Sequence, residues 1–298
     1  MSASPFVFDR SRQAKRRSRA FGTYQSVGFL KQRVAEDILD RITLTKRRFT
    51  TALEIGAGFL DMKAELEPHV DTYICMDIAE KPGRAMTSPA LVADEELLPF
   101  REESLDLVIA GSSLHWVNDL PGTLIQIRRA MKPDGYFVAA MPGGRTLTEL
   151  RQVLLQAETE LTGGAEMRVS PFADALDLSQ LLQRAGFALP VSDRDQLTLR
   201  YDNVFALFDD LKAAGETHSP SQKGRRPLSR RILMRAAQLY AEQFADADGR
   251  IRASLEILWM TGWAPHPDQP KAKPRGSATV SMAEAVGAKE IKTGDKAF

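Results

Sequence analysis

The feature that most constrains this chain is a glycine turn between two apolar runs, the second of which ends in an acid. The first run, Ala52–Leu53–Glu54–Ile55, leads into Gly56–Ala57–Gly58, and the second, Tyr73–Ile74–Cys75–Met76, ends at Asp77. Glycines let a backbone approach a ligand closely, and an acid at a strand end accepts hydrogen bonds from ribose hydroxyls. The pattern therefore predicts a doubly wound α/β fold that holds a nucleoside.

Glu54 indicates which nucleoside. An acid just before the first glycine suits a ligand with a positive amine and a sulfonium, such as S-adenosylmethionine. The pyrophosphate of a dinucleotide instead needs backbone N–H groups and a helix N-terminus. The third glycine of the dinucleotide fingerprint is also missing, because Leu60 and Asp61 stand in its place. A strand-to-helix turn that binds nothing is the structural alternative.

Two later segments extend the same candidate site. Asp94 and Glu95 follow a short predicted strand, and a carboxylate there can accept a hydrogen bond from an adenine amine; the alternative is an acidic loop that caps the next turn. A buried strand ending at Gly111 opens into a small-residue turn and then His115 and Trp116. These two are the candidate catalytic residues, with His115 as a base or a substrate contact, unless both simply pack in the turn. The predicted cofactor contacts are Glu54, Gly56, Gly58, Asp77, Asp94 and Glu95.

Composition sets outer limits on function. The chain has 298 residues, 43% hydrophobic and 27% charged, with a net charge of +1, so no global field recruits nucleic acid. No apolar run approaches the length of a membrane helix. The single cysteine, Cys75, excludes a disulfide framework and fits a reducing compartment.

Hydrophobic periodicity divides the chain into three parts. Residues 1–45 are predicted to be a helical arm, residues 46–264 a domain with a seven-stranded, mostly parallel sheet, and residues 265–298 a partly flexible tail. The last two strands are predicted at Gln196–Tyr201 and Leu255–Trp263. Helical insertions at 143–190 and 203–250 are expected beyond the carboxyl ends of the strands, as a lid over the substrate. Alternatively, they only cover the sheet and shape a dimer interface.

Two charged features admit several interpretations. A basic cluster near the start, from Arg10 to Arg19, is either a solvated helix face or a docking arm for an acidic partner. His266–Pro267–Asp268 matches half of an iron facial triad, but four histidines in a chain this acidic yield about half such a match by chance. We therefore expect no protein-ligated metal.

The chain resembles the class I S-adenosylmethionine-dependent methyltransferases. Within them it is most similar to the methyltransferase-fold assembly factors of respiratory complex I, and it shares core elements with the malonyl-carrier-protein methyltransferases of biotin synthesis. The resemblance covers roughly residues 7–282, and Ser113–Pro121 is its most specific part. Its other elements are Phe8–Asp9–Arg10, Ala93–Glu95, Leu98–Phe100, Leu147–Arg151, Ala157–Glu160, Ser170–Phe172, Arg184–Phe187 and Arg275–Ser281.

The resemblance implies an enzyme that keeps an S-adenosylmethionine pocket and hydroxylates an arginine of an iron–sulfur subunit during complex I assembly. The alternatives are a malonyl-carrier-protein or small-molecule O-methyltransferase, with an acyl carrier protein as partner, and a non-catalytic assembly chaperone. Mitochondrial members carry a transit peptide ahead of the Phe8–Asp9–Arg10 element. We therefore expect a cytoplasmic bacterial protein, with peripheral membrane proximity as a further expectation, or a processed form in the mitochondrial matrix. Leu60 departs from the family's usual third glycine, which puts cofactor binding in question.

Overall fold

The computed structural model describes residues 6–59, 62–85, 88–221, 227–270 and 276–289. Leu60, and with it the effect of a leucine at the third glycine position, lies outside these residues. The chain divides into two compact units, Met1–Pro265 and His266–Phe298. The N-terminal residues therefore belong to the same compact unit as the sheet.

The first unit is built on a seven-stranded sheet in the order β3-β2-β1-β4-β5-β7-β6, which confirms the predicted fold class. Neighbouring strands are parallel from β3 to β5, whereas β7 runs antiparallel to both β5 and β6. The strands are β1 Phe49–Ile55, β2 Val70–Asp77, β3 Ala90–Val92, β4 Leu105–Gly111, β5 Met131–Pro142, β6 Ala188–Tyr201 and β7 Ile251–Trp263.

The strand order reverses between β1 and β4, and this reversal positions the candidate site. Ile55 pairs with Met76 on one side and with Ala110 on the other, so the carboxyl ends of three strands meet at one edge. Crevices beside such a reversal are where open α/β sheets bind ligands. The segments that follow β1, β2 and β4 are thus brought together here, although they are distant in the chain.

Helices cover both faces of the sheet. One buried cluster joins α2 to one face, and another joins α5 and α7 to the opposite face. A third cluster packs α6, α8 and α9 against the outer ends of β6 and β7. The helices of the first unit are α1 Arg10–Ala20, α2 Phe29–Leu44, α3 Lys63–Leu66, α4 Glu80–Ala85, α5 Leu120–Ala130, α6 Thr148–Thr162, α7 Ala175–Arg184, α8 Val204–Ala213 and α9 Arg230–Phe244.

Three details differ from the sequence prediction. The segment Met131–Gly135, whose Pro-Asp-Gly sequence predicts a turn between a helix and the fifth strand, lies inside β5, where Asp134 takes a positive φ of 61° and the register with β4 shifts. The sixth strand begins at Ala188 rather than Gln196, because β7 offers it a paired edge along its whole length. Helix α7 packs on the sheet through Leu178 and Leu182, so the insertion at 143–190 contributes α6 and the loop residues Val169 and Phe172 to the third cluster, but not α7.

The second unit is described at residues 266–270 and 276–289, where the one helix is the short α10, Met282–Ala285. Within the parts of the chain that the structure describes, no helix is long and apolar enough to cross a membrane.

Candidate functional site

The glycine turn after β1 has no room for side chains. Gly56 takes a φ of +73°, and a Cβ there would overlap the Ser113 side chain. A Cβ on Gly58 would lie 2.5 Å from Oδ2 of Asp77. Only glycine gives this turn its path, which brings bare backbone to the point where the strand order reverses. The turn thus has the close-packed backbone that the sequence predicts for an adenosine site, and its role in binding adenosine stays a prediction.

Asp77 ends β2 directly beside this turn. Its carboxylate accepts hydrogen bonds from the backbone N–H groups of Gly58 (3.0 Å) and Ala79 (2.7 Å). The Nε and Nη2 atoms of Arg17 donate to its two oxygens at 3.2 and 2.6 Å. Burial alone would raise the pKa of Asp77, but the Arg17 charge and these hydrogen bonds hold it below its ordinary value. Asp77 is therefore an ionised carboxylate with both oxygens engaged.

Arg17 comes from α1 and is itself buried. Burial lowers the pKa of its guanidinium, but the charge and hydrogen bonds of Asp77, together with the charges of Glu216 and Glu95, outweigh burial and raise the pKa overall. Nη2 also donates to the carbonyl oxygen of Gly56 at 3.2 Å. The guanidinium therefore spans the glycine turn and the acid, and it supplies a cation where the sequence predicts that a positively charged ligand binds.

A second arginine of α1 holds the other predicted acids. Arg10 pairs with Asp94 at 2.8 Å and with Glu95, and its Nη1 donates to the carbonyl oxygen of Trp116 at 3.1 Å. Glu95 is buried, which raises its pKa, and Arg10 opposes that shift. Two arginines of the basic cluster at the start of the chain, Arg10 and Arg17, are thus paired with acids of the same chain. These are the acids expected to bind the cofactor.

Phe8, which precedes Asp9 and Arg10 in the chain, lies in the same region. Phe8 packs its ring against Trp116, with centroids 5.1 Å apart, and its backbone N–H donates to Oδ1 of Asn118 at 2.8 Å. The first element of the family resemblance therefore contacts its most specific element.

Glu54 is also buried and accepts a hydrogen bond from the Tyr73 hydroxyl, so it lies in the sheet beneath the turn.

His115 and Trp116 follow β4 in a short 3₁₀ helix and converge on a residue that the sequence did not single out. Glu216, which comes just after α8, accepts hydrogen bonds at Oε2 from His115 Nε2 (3.0 Å) and Trp116 Nε1 (2.9 Å). Burial raises the pKa of Glu216, but His115, Lys31 and Arg17 lower it to about 2. The sequence gives only a weak signal for Glu216, namely an acid directly after a glycine. Gly215 takes a φ of +73° just after the end of α8.

These residues border a cavity of about 150 Å³ between the sheet edge, α2 and the lid. Its wall combines aromatic rings with a few ionisable groups. Burial and the nearby Arg17 charge lower the pKa of Lys31 to about 8, against the opposing effect of Glu216. The lining residues include Tyr24, Lys31, Ser112, His115, Trp116, Phe172, Tyr201, Asp210 and Glu216.

The comparisons with known proteins place this geometry in a family. Residues 28–190 match the family described as a methyltransferase domain. The chain belongs to the methyltransferase-domain family. It is an enzyme of the S-adenosylmethionine methyltransferase class, with the mixed seven-stranded sheet described above.

Similar methyltransferase-domain proteins fall into two named groups. The mitochondrial arginine-hydroxylase NDUFAF5 of Mus musculus is 40% identical over 97% of this chain and 87% of its own length. The malonyl-[acyl-carrier protein] O-methyltransferase of Methylovorus sp. is 31% identical over 89% of this chain and 92% of its own length. The crystal structure of the YcgJ protein from Bacillus subtilis has a TM-score of 0.55 at 14% identity, covering 79% of this chain and 99% of that one.

Six of the eight predicted site residues thus form two groups, each joined by an arginine of α1, whereas Glu54 contacts Tyr73 and His115 contacts Glu216. Arg17 joins the glycine turn to Asp77, while Arg10 joins Asp94, Glu95 and the backbone of Trp116. Among the residues that the structure describes, no group of three or more His, Cys, Asp or Glu residues is arranged to hold a metal ion. The expectation that no metal is bound by the protein stays a prediction.

Proposed function

We propose that the chain binds S-adenosylmethionine at the glycine turn and hydroxylates an arginine of a complex I subunit during assembly of that complex. A C–H bond of the arginine is replaced by C–OH, and the oxygen atom and the two-electron oxidation come from an external oxidant such as dioxygen with a reductant, not from the cofactor. The observation that carries the proposal is near-full-length similarity to proteins named arginine-hydroxylases, at 37–41% identity over 93% or more of this chain in four vertebrates. The malonyl-carrier-protein methyltransferases are less similar, at 29–31% identity.

The chemistry of the described residues supports the cofactor part of the proposal. Gly56 and Gly58 would let the main chain approach the ligand closely, and Asp77 would accept hydrogen bonds from ribose hydroxyls. Asp94 and Glu95 would border the adenine, and Glu54 would add negative charge beneath the positive end of the ligand. When bound, the cofactor supplies an electrophilic sulfonium. Both oxygens of Asp77 already accept hydrogen bonds, so the ribose must displace at least one Arg17 contact.

The cavity supports the acceptor part. A planar guanidinium stacks on aromatic faces and pairs with carboxylates, and this cavity offers Trp116 and Phe172 together with Glu216 and Asp210. Holding the acceptor between these groups would exclude water and orient it next to the turn after β4. His115 is placed to accept a hydrogen bond from it.

One observation favours the second candidate, a malonyl-carrier-protein O-methyltransferase. Lys31 supplies a buried cation inside the same cavity, and an ammonium group suits the free carboxylate of a malonyl thioester. An acyl carrier protein would then be the partner in place of a complex I subunit.

A gene deletion with complementation separates these functions. We expect loss of complex I activity, together with loss of one added oxygen on an arginine of a complex I subunit by mass spectrometry. Wild type and Gly164→Ala should restore both, because nothing lies within 4 Å of a Cβ at Gly164, whereas Gly56→Arg should not. Biotin auxotrophy with normal complex I would instead favour the malonyl enzyme.

Binding of the cofactor is measured separately by calorimetric titration with S-adenosylmethionine and S-adenosylhomocysteine. We expect binding by the wild type and none by Gly56→Arg. If Gly56→Arg has lost binding yet restores complex I, the protein acts as a non-catalytic assembly chaperone. Fractionation of the same cells tests the expected location, in the cytoplasm or at the membrane periphery of a bacterium, or in the mitochondrial matrix for an organellar form.

A further inference from the structure

Glu216 makes an arrangement that neither the fold nor the cofactor site requires. It lies about one hundred positions along the chain from His115 and Trp116, yet Oε2 accepts a hydrogen bond from a ring nitrogen of each, at 3.0 and 2.9 Å. Burial raises the pKa of Glu216, but its contact with His115 and the charges of Lys31 and Arg17 lower it, so Glu216 is an ionised carboxylate at neutral pH. An ionised carboxylate only accepts hydrogen bonds, so the shared proton of the first contact must be carried by His115 Nε2.

The other ring nitrogen of His115 has a different environment. Nδ1 is buried and has no hydrogen-bond partner among the residues that the structure describes. A proton on Nδ1 would be a buried donor without an acceptor, which costs about 1–3 kcal/mol. The neutral ring therefore carries its proton on Nε2 and a lone pair on Nδ1. The ring is held in place between Trp116 and Phe172, with centroids 5.2 and 6.3 Å away.

We infer that Glu216 is a positioning residue, which holds His115 as the Nε2–H tautomer so that Nδ1 is a hydrogen-bond and proton acceptor for the substrate. A carboxylate that fixes the tautomer of an imidazole through its second nitrogen is a general device of acid–base sites. Here the carboxylate comes from the lid and the imidazole from the turn after β4, so the acceptor is complete only when the lid is docked.

The tautomer also restricts the substrate class, and this step rests on the proposed function. A lone pair on Nδ1 beside an ionised Glu216 accepts hydrogen bonds from N–H or O–H groups. A guanidinium offers N–H donors in a fixed plane, whereas a malonyl carboxylate offers none. The geometry around His115 thus suits an arginine side chain, while the cation of Lys31 is the group that a malonyl carboxylate would use.

The tautomer can be read directly by long-range ¹H–¹⁵N correlation spectra of the full chain labelled at histidine. At about pH 9 an ordinary imidazole is neutral, and the two ring nitrogens of each tautomer then differ clearly in chemical shift. His115→Gln identifies the signals of His115 among the four histidines. We expect the wild-type ring to be almost wholly Nε2–H.

Three variants test the role of the carboxylate. Glu216→Leu should turn the single His115 tautomer into a mixture, and Glu216→Gln, which keeps an acceptor oxygen, should restore the Nε2–H form. Asp210→Asn is the matched control, because Asp210 lies in α8 and also lines the cavity, while no hydrogen bond or ion pair joins it to His115 among the residues that the structure describes; it should leave the tautomer unchanged. Unchanged signals from the other histidines report that each variant is folded.

The inference is overturned if wild-type His115 is Nδ1–H, if Glu216→Leu leaves the tautomer unchanged, or if Asp210→Asn shifts it equally. None of these measurements uses a substrate. The expected tautomer without a hydroxylated arginine product would therefore contradict only the proposed function. A hydroxylated arginine product with the other tautomer would contradict only this inference.

Discussion

The buried pair between Arg17 and Asp77 gives the sharpest energetic prediction. The Arg17 side chain is 3% exposed and the Asp77 side chain 0%, and their closest atoms are 2.6 Å apart. In Arg17→Met, Asp77 keeps only the backbone donors of Gly58 and Ala79 and becomes a buried charge without a counter-ion. Removing one partner of such a pair costs about 3–5 kcal/mol, so we expect the free energy of unfolding of Arg17→Met to fall by that amount at neutral pH.

A surface pair in the same protein provides the control. Arg48 and Asp71 are 2.7 Å apart, nearly the same separation, but their side chains are 57% and 50% exposed. Exposed pairs are worth about 0–1 kcal/mol, so Arg48→Met should change stability by no more than that. Urea unfolding followed by tryptophan fluorescence measures both variants, because Trp116, Trp259 and Trp263 all lie in the first unit.

The double variant Arg17→Met with Asp77→Asn tests whether charge is the cause. Asn keeps an acceptor oxygen for the backbone donors but needs no counter-ion. The double variant should lose less stability than the two single variants added together, by at least about 2 kcal/mol, since each single change leaves one buried charge alone. Additive losses, or a loss in Arg17→Met no larger than in Arg48→Met, would refute the reasoning.

The pH dependence has a definite sign. The pKa of Asp77 is depressed in the folded wild type, so its stabilising contribution is complete above about pH 4, the unfolded value, and is lost as pH falls through the folded pKa. In Arg17→Met only the backbone hydrogen bonds of Gly58 and Ala79 still oppose burial, so the pKa of Asp77 rises and its ionised form destabilises the fold. Protonation then relieves the variant, and the stability difference from wild type should shrink between neutral pH and about pH 4.

Three further predictions concern other groups. Gly56→Arg should abolish binding of S-adenosylhomocysteine in calorimetry while Gly164→Ala preserves it, and equal affinities would remove the glycine turn from the site. The ammonium of Lys31 has its pKa lowered to about 8, so its acylation rate, followed by mass spectrometry, should rise through that pH; a rise only near the ordinary value of about 10.4 would contradict its burial. Arg168→Met should lower the free energy of unfolding by about 1.5–3 kcal/mol in urea, because Arg168 donates charged hydrogen bonds to the buried Glu158; a loss under about 0.5 kcal/mol would contradict this.

The sequence predicted the sheet because its strands are local patterns. Val108, Ile109 and Ala110 form a continuous apolar run that is buried on both faces of the sheet, and the glycine turn and Asp77 mark the two strand ends beside the reversal. The extent of β6 was less accessible. Its charged first half lies at the sheet edge, where alternation is weak, and only pairing with β7 makes it a strand.

The partners of the site residues could not be predicted, since each is a long-range contact. Nothing local distinguishes Arg10 and Arg17 from their basic neighbours in α1, and only the folded chain separates them: both turn to the site acids, while Arg12 pairs with the helix cap Asp9. Glu216 is similar. Its meeting with His115 depends on where α8 ends, and helix ends are the least predictable part of an element.

The two arginines also couple the arm to the cofactor site. Every hydrogen bond that Asp77 accepts from a ribose hydroxyl must replace one that it accepts from Arg17, because each of its oxygens already accepts two, one from Arg17 and one from the backbone. At the proposed site, the apparent affinity for S-adenosylmethionine should then equal the intrinsic affinity multiplied by the fraction of molecules in which Asp77 is released from Arg17. A ligand that brings its own cation compensates for the displaced guanidinium at the Gly56 carbonyl, whereas uncharged adenosine does not. The arm should therefore make the protein bind S-adenosylmethionine more tightly than adenosine, because the ligand must replace the positive charge of Arg17.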